Sequence, residues 1–212
     1  MWRSCIRKKN IFKYKRMLIE KTKPELIIEA AILEFQEKGF ERASMDRITE
    51  LAGVSKRTVY NHFESKSVLF KAIIEVMASR LKAGSEVVFQ PDLPIREQLF
   101  ELGQVKGKFL RSKQFMQFIR MAMSETLRDP AMAHTLQEKS ENTEIYTKFF
   151  EAAVASGKLK AKDPKKIEDQ FIGLIKAQAF WPAIFSGNVL KKSEFDQVLE
   201  ESVDTIMAAY AR

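Results

Sequence analysis

Residues 44–66 read SMDRITELAGVSKRTVYNHFESK, and the reading of this stretch decides the fold. Ser44 stands at a helix N-cap position, and Asp46 in the first turn complements the positive end of the helix dipole. Met45, Ile48, Leu51 and Ala52 recur at three- and four-residue spacing and predict the buried face of a short helix. Gly53 stops that helix, because glycine tolerates the left-handed backbone of a sharp turn. Val54 plugs the corner, Ser55 caps again, and Lys56 to Phe63 make a second short helix. Two short helices joined by Ala52-Gly53-Val54-Ser55 are a helix-turn-helix pattern.

The second helix has two unlike sides. With roughly 100° per residue and Val59 at zero, Phe63 falls at about 40°, while Arg57 and Asn61 fall at about 160° and 200°. Val59 and Phe63 therefore define the buried side. The outward stripe is Arg57, Thr58, Tyr60 and Asn61, with Lys56 and His62 at its margins. These side chains suit a DNA major groove. Arginine pairs with guanine O6 and N7, asparagine with adenine N6 and N7, and a threonine methyl meets a thymine methyl. Ser65 and Lys66 open the next helix, where the positive helix end and the ammonium suit a backbone phosphate. Ser44 stands in the same relation to the preceding helix. The competing reading is a surface helix whose polar stripe is only solvated. His62 by itself reads equally as a hydrogen-bonded structural residue. With His62, His134 and Cys5 as the chain's whole stock of His and Cys, neither a metal site nor a cofactor is expected.

Upstream, Pro24 sits where a first helical turn tolerates it. Leu26, Ile27, Ala30, Ala31, Leu33 and Phe35 form the expected apolar side, with Glu25, Glu29 and Gln36 opposite. Gly39 ends this helix, and Phe40 folds back on Phe35. Downstream, Ser65 caps a longer helix through about Ala83, with Leu69, Ile73 and Val76 at helical spacing. Residues 24–83 are thus read as a DNA-binding helix-turn-helix domain. Gly84 to Pro94 read as a linker, and 84–212 as a helical regulatory and dimerisation domain. Its helices are expected near 95–111, 114–128, 131–156, 164–186 and 193–211. Asp129-Pro130, Gly157, Asp163-Pro164 and Ser186-Gly187-Asn188 punctuate them. The expected fold is all-α: an N-terminal three-helix helix-turn-helix domain followed by a C-terminal helical bundle for ligand binding and dimerisation.

The net charge of +8 comes from one place. Residues 1–23 carry nine Lys and Arg against the single acid Glu20, so the rest of the chain sums to zero. This basic arm either neutralises DNA phosphates or is a solvated tail ahead of a natural start at Met17. Lys and Arg interrupt its apolar residues, so it lacks the core of a secretory signal. No apolar run approaches the ~20 residues of a membrane-spanning helix. The single cysteine, Cys5, forms no intrachain disulfide, which fits a cytoplasmic protein.

The stretch Ala30-Ala31, Phe35, Lys38-Gly39-Phe40, Ser44 to Ile48, Ala52 to Lys66 and Leu69-Phe70 closely resembles the N-terminal domain of TetR/AcrR-family repressors. The resemblance implies a dimer on a pseudo-palindromic operator, acting as a repressor released by a small molecule. By position, Lys56, Tyr60, Asn61, His62 and Lys66 match the family's DNA-contacting residues, and Ser44 matches a phosphate contact. Arg57 replaces the small residue common after that lysine, which leaves a base and a phosphate both open as its target.

Eleven of the 16 Phe lie after residue 80, and Met116, Met121, Met123 and Met132 cluster beside Phe115 and Phe118. Phe and Met fill cores, and they also wall apolar pockets. Phe115, Phe118, Met121, Phe149 and Trp181 are the candidate walls for an apolar or aromatic effector. Phe171, Leu174, Ile175 and Gln178 run along one late helix; Phe195, Val198, Leu199, Ser202, Ile206 and Tyr210 run along the last. Of these, Phe171, Leu174, Gln178, Phe195, Leu199 and Ile206 are the candidate dimer residues, in a four-helix interface that Gly173 and Ala177 would let close. The alternative is packing within one subunit. Phe180-Trp181-Pro182 with Gly187 also resembles the C-terminal region of an AcrR-like subgroup. No nucleophile–base pair and no phosphate-cradling glycine loop argues for an enzyme. The expected function is a ligand-responsive, sequence-specific DNA-binding repressor. The alternative is an architectural DNA-binding protein without a ligand.

Overall fold

Thr22-Lys23-Pro24-Glu25 starts the first helix. The Glu25 carboxylate accepts the Thr22 backbone N–H at 2.7 Å and the Thr22 hydroxyl at 2.8 Å. Those bonds hold the Glu25 carboxyl below its usual range. Pro24 occupies the first turn, where its missing N–H costs nothing. The computed structural model describes residues 21–83, 87–128 and 144–211. The expectations for the arm before residue 21, for Met132 and His134, and for a helix beginning at 131 lie outside the described residues. The chain divides into two compact units between Ile73 and Ile74, inside a helix and ahead of the expected boundary at 83/84.

The first unit holds α1 (Lys23–Arg42), α2 (Met45–Ala52), α3 (Lys56–His62) and the start of α4 (Lys66–Ala83). Gly39 interrupts α1 with φ +74°. The turn brings Phe40 back onto Phe35 at 5.6 Å between ring centroids, as its spacing predicts. Phe70 of α4 meets both rings, at 5.6 and 5.0 Å. Two expectations fail here. Leu33 is 57% exposed, and the neighbouring Glu34 is 2% exposed. On a helical wheel Leu33 lies about 160° from Phe35, whereas Glu34 falls beside Ile27 and Ala31. Leu51, at the edge of the α2 face, is likewise exposed, while Ile48 and Ala52 are buried.

The second unit contains the rest of α4, then α5 (Ile95–Leu110), α6 (Lys113–Thr126), α7 (Glu144–Ala155) and α8 (Pro164–Ile175). A π-helical segment (Lys176–Phe180) follows, then α9 (Trp181–Ser186) and α10 (Lys192–Tyr210). The helix expected over 164–186 is thus interrupted. The wider turn comes just before Pro182, which has no N–H to continue the ordinary ladder. The second half of the expected linker is packed down. Buried Gln98 donates to the carbonyls of Gln90 (2.9 Å) and Leu93 (3.0 Å) and accepts the Gln90 N–H (2.7 Å). Phe89 lies against Phe149 at 5.6 Å.

The core of this unit joins Leu99, Leu102, Phe149, Phe150, Phe171, Ile175, Phe195, Leu199, Val203 and Ile206. Two glycines of α5 make room for α10. A Cβ on Gly103 would lie 2.2 Å from Leu199 Cδ1, and one on Gly107 would lie 2.2 Å from Phe195 Cε1. Arg96 of α5 pairs with Glu200 (2.6 Å) and Asp204 of α10 along the solvent edge. Among the described residues the chain is helical, apart from one antiparallel bridge between Leu159 and Ala211. No described helix is long and apolar enough to cross a membrane.

Candidate DNA-binding interface

The helix-turn-helix closes on residues that the sequence pattern selects. Gly53 takes the left-handed conformation, φ +66°, between α2 and α3. Ser55 Oγ accepts the Thr58 N–H at 3.1 Å, capping α3. Val59 is fully buried and Phe63 nearly so, which anchors the inner side of α3. Lys56, Arg57, Tyr60, Asn61 and His62 are all exposed on the other side.

These outward residues are not equivalent. Lys56 Nζ pairs with Asp46 Oδ1 at 2.6 Å and lies 5.9 Å from the Tyr60 ring centroid. The hydrogen bond to Asp46, reinforced by its charge, raises the Lys56 pKa and keeps the ammonium protonated. Thr58 is half-buried, and its hydroxyl is 2.8 Å from Ser55 Oγ, so its methyl is the group left to present. Arg57 and Asn61 have no hydrogen bond or ion pair among the described residues. The His62 ring lies 6.3 Å from Phe63 and makes no other ring contact there.

The two phosphate candidates are held by the turn between α1 and α2. Ser44 is exposed at the N-cap position of α2, but its hydroxyl does not cap the helix. Its backbone N–H instead donates to Glu34 Oε1 at 3.2 Å, and Glu34 Oε2 is buried with no hydrogen-bond partner among the described residues. Lys66 Nζ donates to the carbonyls of Glu41 (2.8 Å) and Ala43 (3.4 Å) and sits 4.7 Å from the Phe40 ring centroid. The lysine read as a phosphate ligand therefore also ties down the end of α1. Glu34 is a residue that the sequence reading missed. Its signal was a carboxylate inside the apolar arc of α1.

In the second unit, Phe118 and Phe149 are buried, and Phe115 and Met121 are half-buried. Phe115 packs on Phe109 at 5.6 Å, and Phe149 on Phe150 at 5.5 Å. Trp181 differs from them in exposure. It is 44% exposed and lies beside Phe180 (5.0 Å) and the 79% exposed Phe185 (6.4 Å). In the single chain it is a surface residue, on a short helix that packs against the helix of Phe115, Phe118 and Met121. The dimer candidates also divide. Phe171, Phe195, Leu199 and Ile206 are at most 1% exposed in a single chain, because the glycine notches of α5 and the aromatic rings of α7 already cover them. They have no surface left to give a partner. Leu174 is half-buried and Gln178 exposed, on the same helical stretch as Trp181 and Phe185. Among the described residues no group of three or more His, Cys, Asp or Glu is placed to hold a metal ion.

Two family models match this chain. One, described as bacterial regulatory proteins of the tetR family, covers residues 27–73. The other, the C-terminal domain of AefR-like transcriptional repressors, covers residues 97–212. A TetR-family regulator from Pseudomonas syringae pv. tomato DC3000 is 37% identical in its crystal structure. That match covers 88% of this chain and 96% of that one, with a TM-score of 0.74. A flavonoid-responsive regulator, FrrA, is 26% identical over 89% of this chain and 97% of its own, with a TM-score of 0.73. YhgD of Bacillus subtilis, a helix-turn-helix transcriptional regulator, is 28% identical over 66% of this chain and 74% of its own length. The two family models together cover the helix-turn-helix and most of the helical second unit, and the chain belongs to the TetR family of transcriptional regulators.

Proposed function

We propose that the chain is a cytoplasmic, ligand-responsive repressor that binds a pseudo-palindromic operator as a homodimer. The observation that carries this reading is the stripe Arg57, Tyr60 and Asn61, exposed on a helix whose opposite side is locked by Val59 and Phe63. Arg57 and Asn61 read bases, the Thr58 methyl and Tyr60 pack beside them, and Lys56 and His62 flank the groove. Ser44 and Lys66 contact phosphates. Residues 24–83 act as the reading domain and 84–212 as the regulatory and dimerisation domain. Repression is the sense favoured by the description of the C-terminal family model.

Dimerisation is assigned to the surface side of α8, the π-helical segment and α9. Leu174, Gln178, Trp181 and Phe185 offer apolar and amide surface there. An apolar or aromatic small molecule binds within the second unit, where Phe115, Phe118, Met121 and Phe149 lie. FrrA, a relative over both halves, is described as flavonoid-responsive, which agrees with an aromatic effector. The decisive experiment selects genomic fragments bound by the purified protein and compares them with random DNA in mobility shifts. A specific regulator prefers its site by ~10³-fold or more at physiological salt. Equal affinity for selected and random DNA would replace this reading with an architectural role. A reporter behind the selected site then gives the sign of regulation: removal of the protein raises transcription from a repressed promoter.

A further inference from the structure

α5 carries a lysine where its neighbours are apolar. Leu99 and Leu102 lie seven and four residues before Lys106, and Leu110 lies four residues after it, the spacing of one helix face. All three leucines are buried. Lys106 itself is half-buried, and its Nζ lies 5.3 Å from the ring centroid of Tyr146 on α7, a residue that is 6% exposed. Among the described residues Lys106 has no hydrogen bond and no carboxylate partner. The acid nearest in electrostatic terms, Glu168 of α8, is occupied: Oε2 accepts from Thr147 Oγ1 (2.9 Å) and Oε1 from Lys165 Nζ (2.8 Å). Lys176, the first residue of the π-helical segment, adds a second positive charge close enough to oppose protonation of Lys106.

An ammonium placed this way is costly to the fold. Desolvation, and then Lys176, push the Lys106 pKa down to about 8, against a smaller pull upward from Glu168. The group is still protonated near neutral pH. Burial, with Glu168 adding to it, pushes the Tyr146 phenol well above its usual range, so it stays neutral. Its hydroxyl has no hydrogen bond among the described residues, which leaves it free to donate. Among the described residues this desolvated cation has no counter-charge, and it stands beside a neutral hydroxyl donor and within reach of the charge on Lys176 at the π-helical segment, an arrangement that an anion completes.

We infer that Lys106, Tyr146 and Lys176 form the polar end of the effector site, and that the effector is an organic anion with an apolar or aromatic body. The acidic group sits against Lys106 and the Tyr146 hydroxyl. Phe149 and Phe150, one turn along α7 from Tyr146, lie toward the apolar body. A neutral molecule of the same shape gains nothing from the cation and binds more weakly for that reason. This inference rests on the ligand-responsive reading above and adds the charge of the ligand to it.

The test uses two fluorescent probes with one aromatic skeleton. 8-Anilinonaphthalene-1-sulfonate is an anion; N-phenyl-1-naphthylamine is its neutral counterpart. Both are titrated into the full-length protein near neutral pH. The anion is expected to saturate at one per chain and to bind about tenfold tighter than the neutral probe or better. Lys106→Met should weaken the anion by about tenfold and leave the neutral probe within about twofold. Lys176→Met should give a smaller loss of the same sign. Circular dichroism and thermal melts confirm that both variants fold. Equal affinity for the two probes, an unchanged anion affinity in Lys106→Met, or no binding of either probe overturns the inference. Operator binding, measured separately, distinguishes its failure from that of the regulator reading. If the neutral probe alone binds and releases DNA, the ligand-responsive repressor stands and its effector is not an anion.

Discussion

Neighbours on α3 differ in what already holds them. Lys56 is committed to Asp46, and the Thr58 hydroxyl to Ser55, whereas Arg57 and Asn61 are unengaged among the described residues. Replacing either of the latter by alanine should therefore remove DNA contacts and little else. Arg57→Ala and Asn61→Ala should each cost about 1–3 kcal/mol on the cognate site and relax sequence preference there. Mobility shifts against single-base variants of the site measure this, and an unchanged preferred site would remove both from base reading. Lys66 should behave differently, because its ammonium also bonds the Glu41 and Ala43 carbonyls. Lys66→Ala should weaken cognate and random DNA alike, flatten the salt slope by about one, and lower stability by roughly 1 kcal/mol. A variant with full stability and unaltered salt slope would deny it both roles. Lys106→Met makes the opposite case: the folded protein should gain up to about 3 kcal/mol, since its pKa falls from 10.5 to about 8 on folding. The unfolded chain holds the proton more tightly, so this cost is complete below about pH 8 and fades as the pH rises toward 10.5. Denaturant melts of both proteins across that range should converge. Lys106 was legible in principle, as a lysine on a leucine face. Glu34 and Leu33 were harder: adjacent residues on a helix differ by only about 100°, so an apolar count without a wheel swaps them.

At the scale of elements, periodicity and punctuation carried most of the fold. Gly39, Gly53 and Gly187 each take positive φ at a helix break that the sequence marks. Ser55, Ser65 and Ser112 each accept a backbone N–H at the start of a helix. What periodicity does not name is the partner of an apolar stripe. The stripe Phe195, Leu199, Ile206 on α10 reads equally as a subunit contact or a core, and the deciding signal lies elsewhere, in Gly103 and Gly107 of α5. The π-helical segment was equally hidden, because Pro182 marks a disturbance without giving its form. This division yields a paired prediction. Phe195→Glu buries an unpaired charge in a glycine-notched core, and should cost at least about 3 kcal/mol and give unfolded or aggregated protein. Trp181→Glu with Phe185→Glu changes exposed side chains, so the protein should stay folded. If α9 forms the subunit contact, that double variant should become monomeric and lose tight operator binding, because one half-site lacks the affinity of two linked readers. Light scattering with thermal melts reads both outcomes. A dimer of unchanged mass in the double variant would move the interface away from α9.

The whole molecule depends on what crosses between its two units. α4 does so covalently: Leu69, Phe70 and Ile73 are buried before the division, and Ile74 is buried after it. A ligand in the second unit releases DNA only if it binds two arrangements of the molecule unequally. One of those arrangements must space the paired α3 helices for successive major grooves, ~34 Å apart. Thermodynamic linkage then gives a prediction that needs no knowledge of the natural effector. If a bound anion weakens the operator by some factor, the operator must weaken the anion by the same factor. For a coupling of about 1–3 kcal/mol that factor is about 5–150. Anilinonaphthalene sulfonate should accordingly bind more weakly to the saturated protein–operator complex than to free protein, and the loss should equal its effect on operator affinity. Two glycines inserted after Ile74 should soften α4 and bring both factors toward one, while probe binding to free protein and half-site recognition persist. A probe whose affinity ignores the operator, and which leaves operator affinity untouched, would mean that its site is uncoupled from DNA reading. Persistence of full coupling through the glycine insertion would mean that α4 is not the element that carries it.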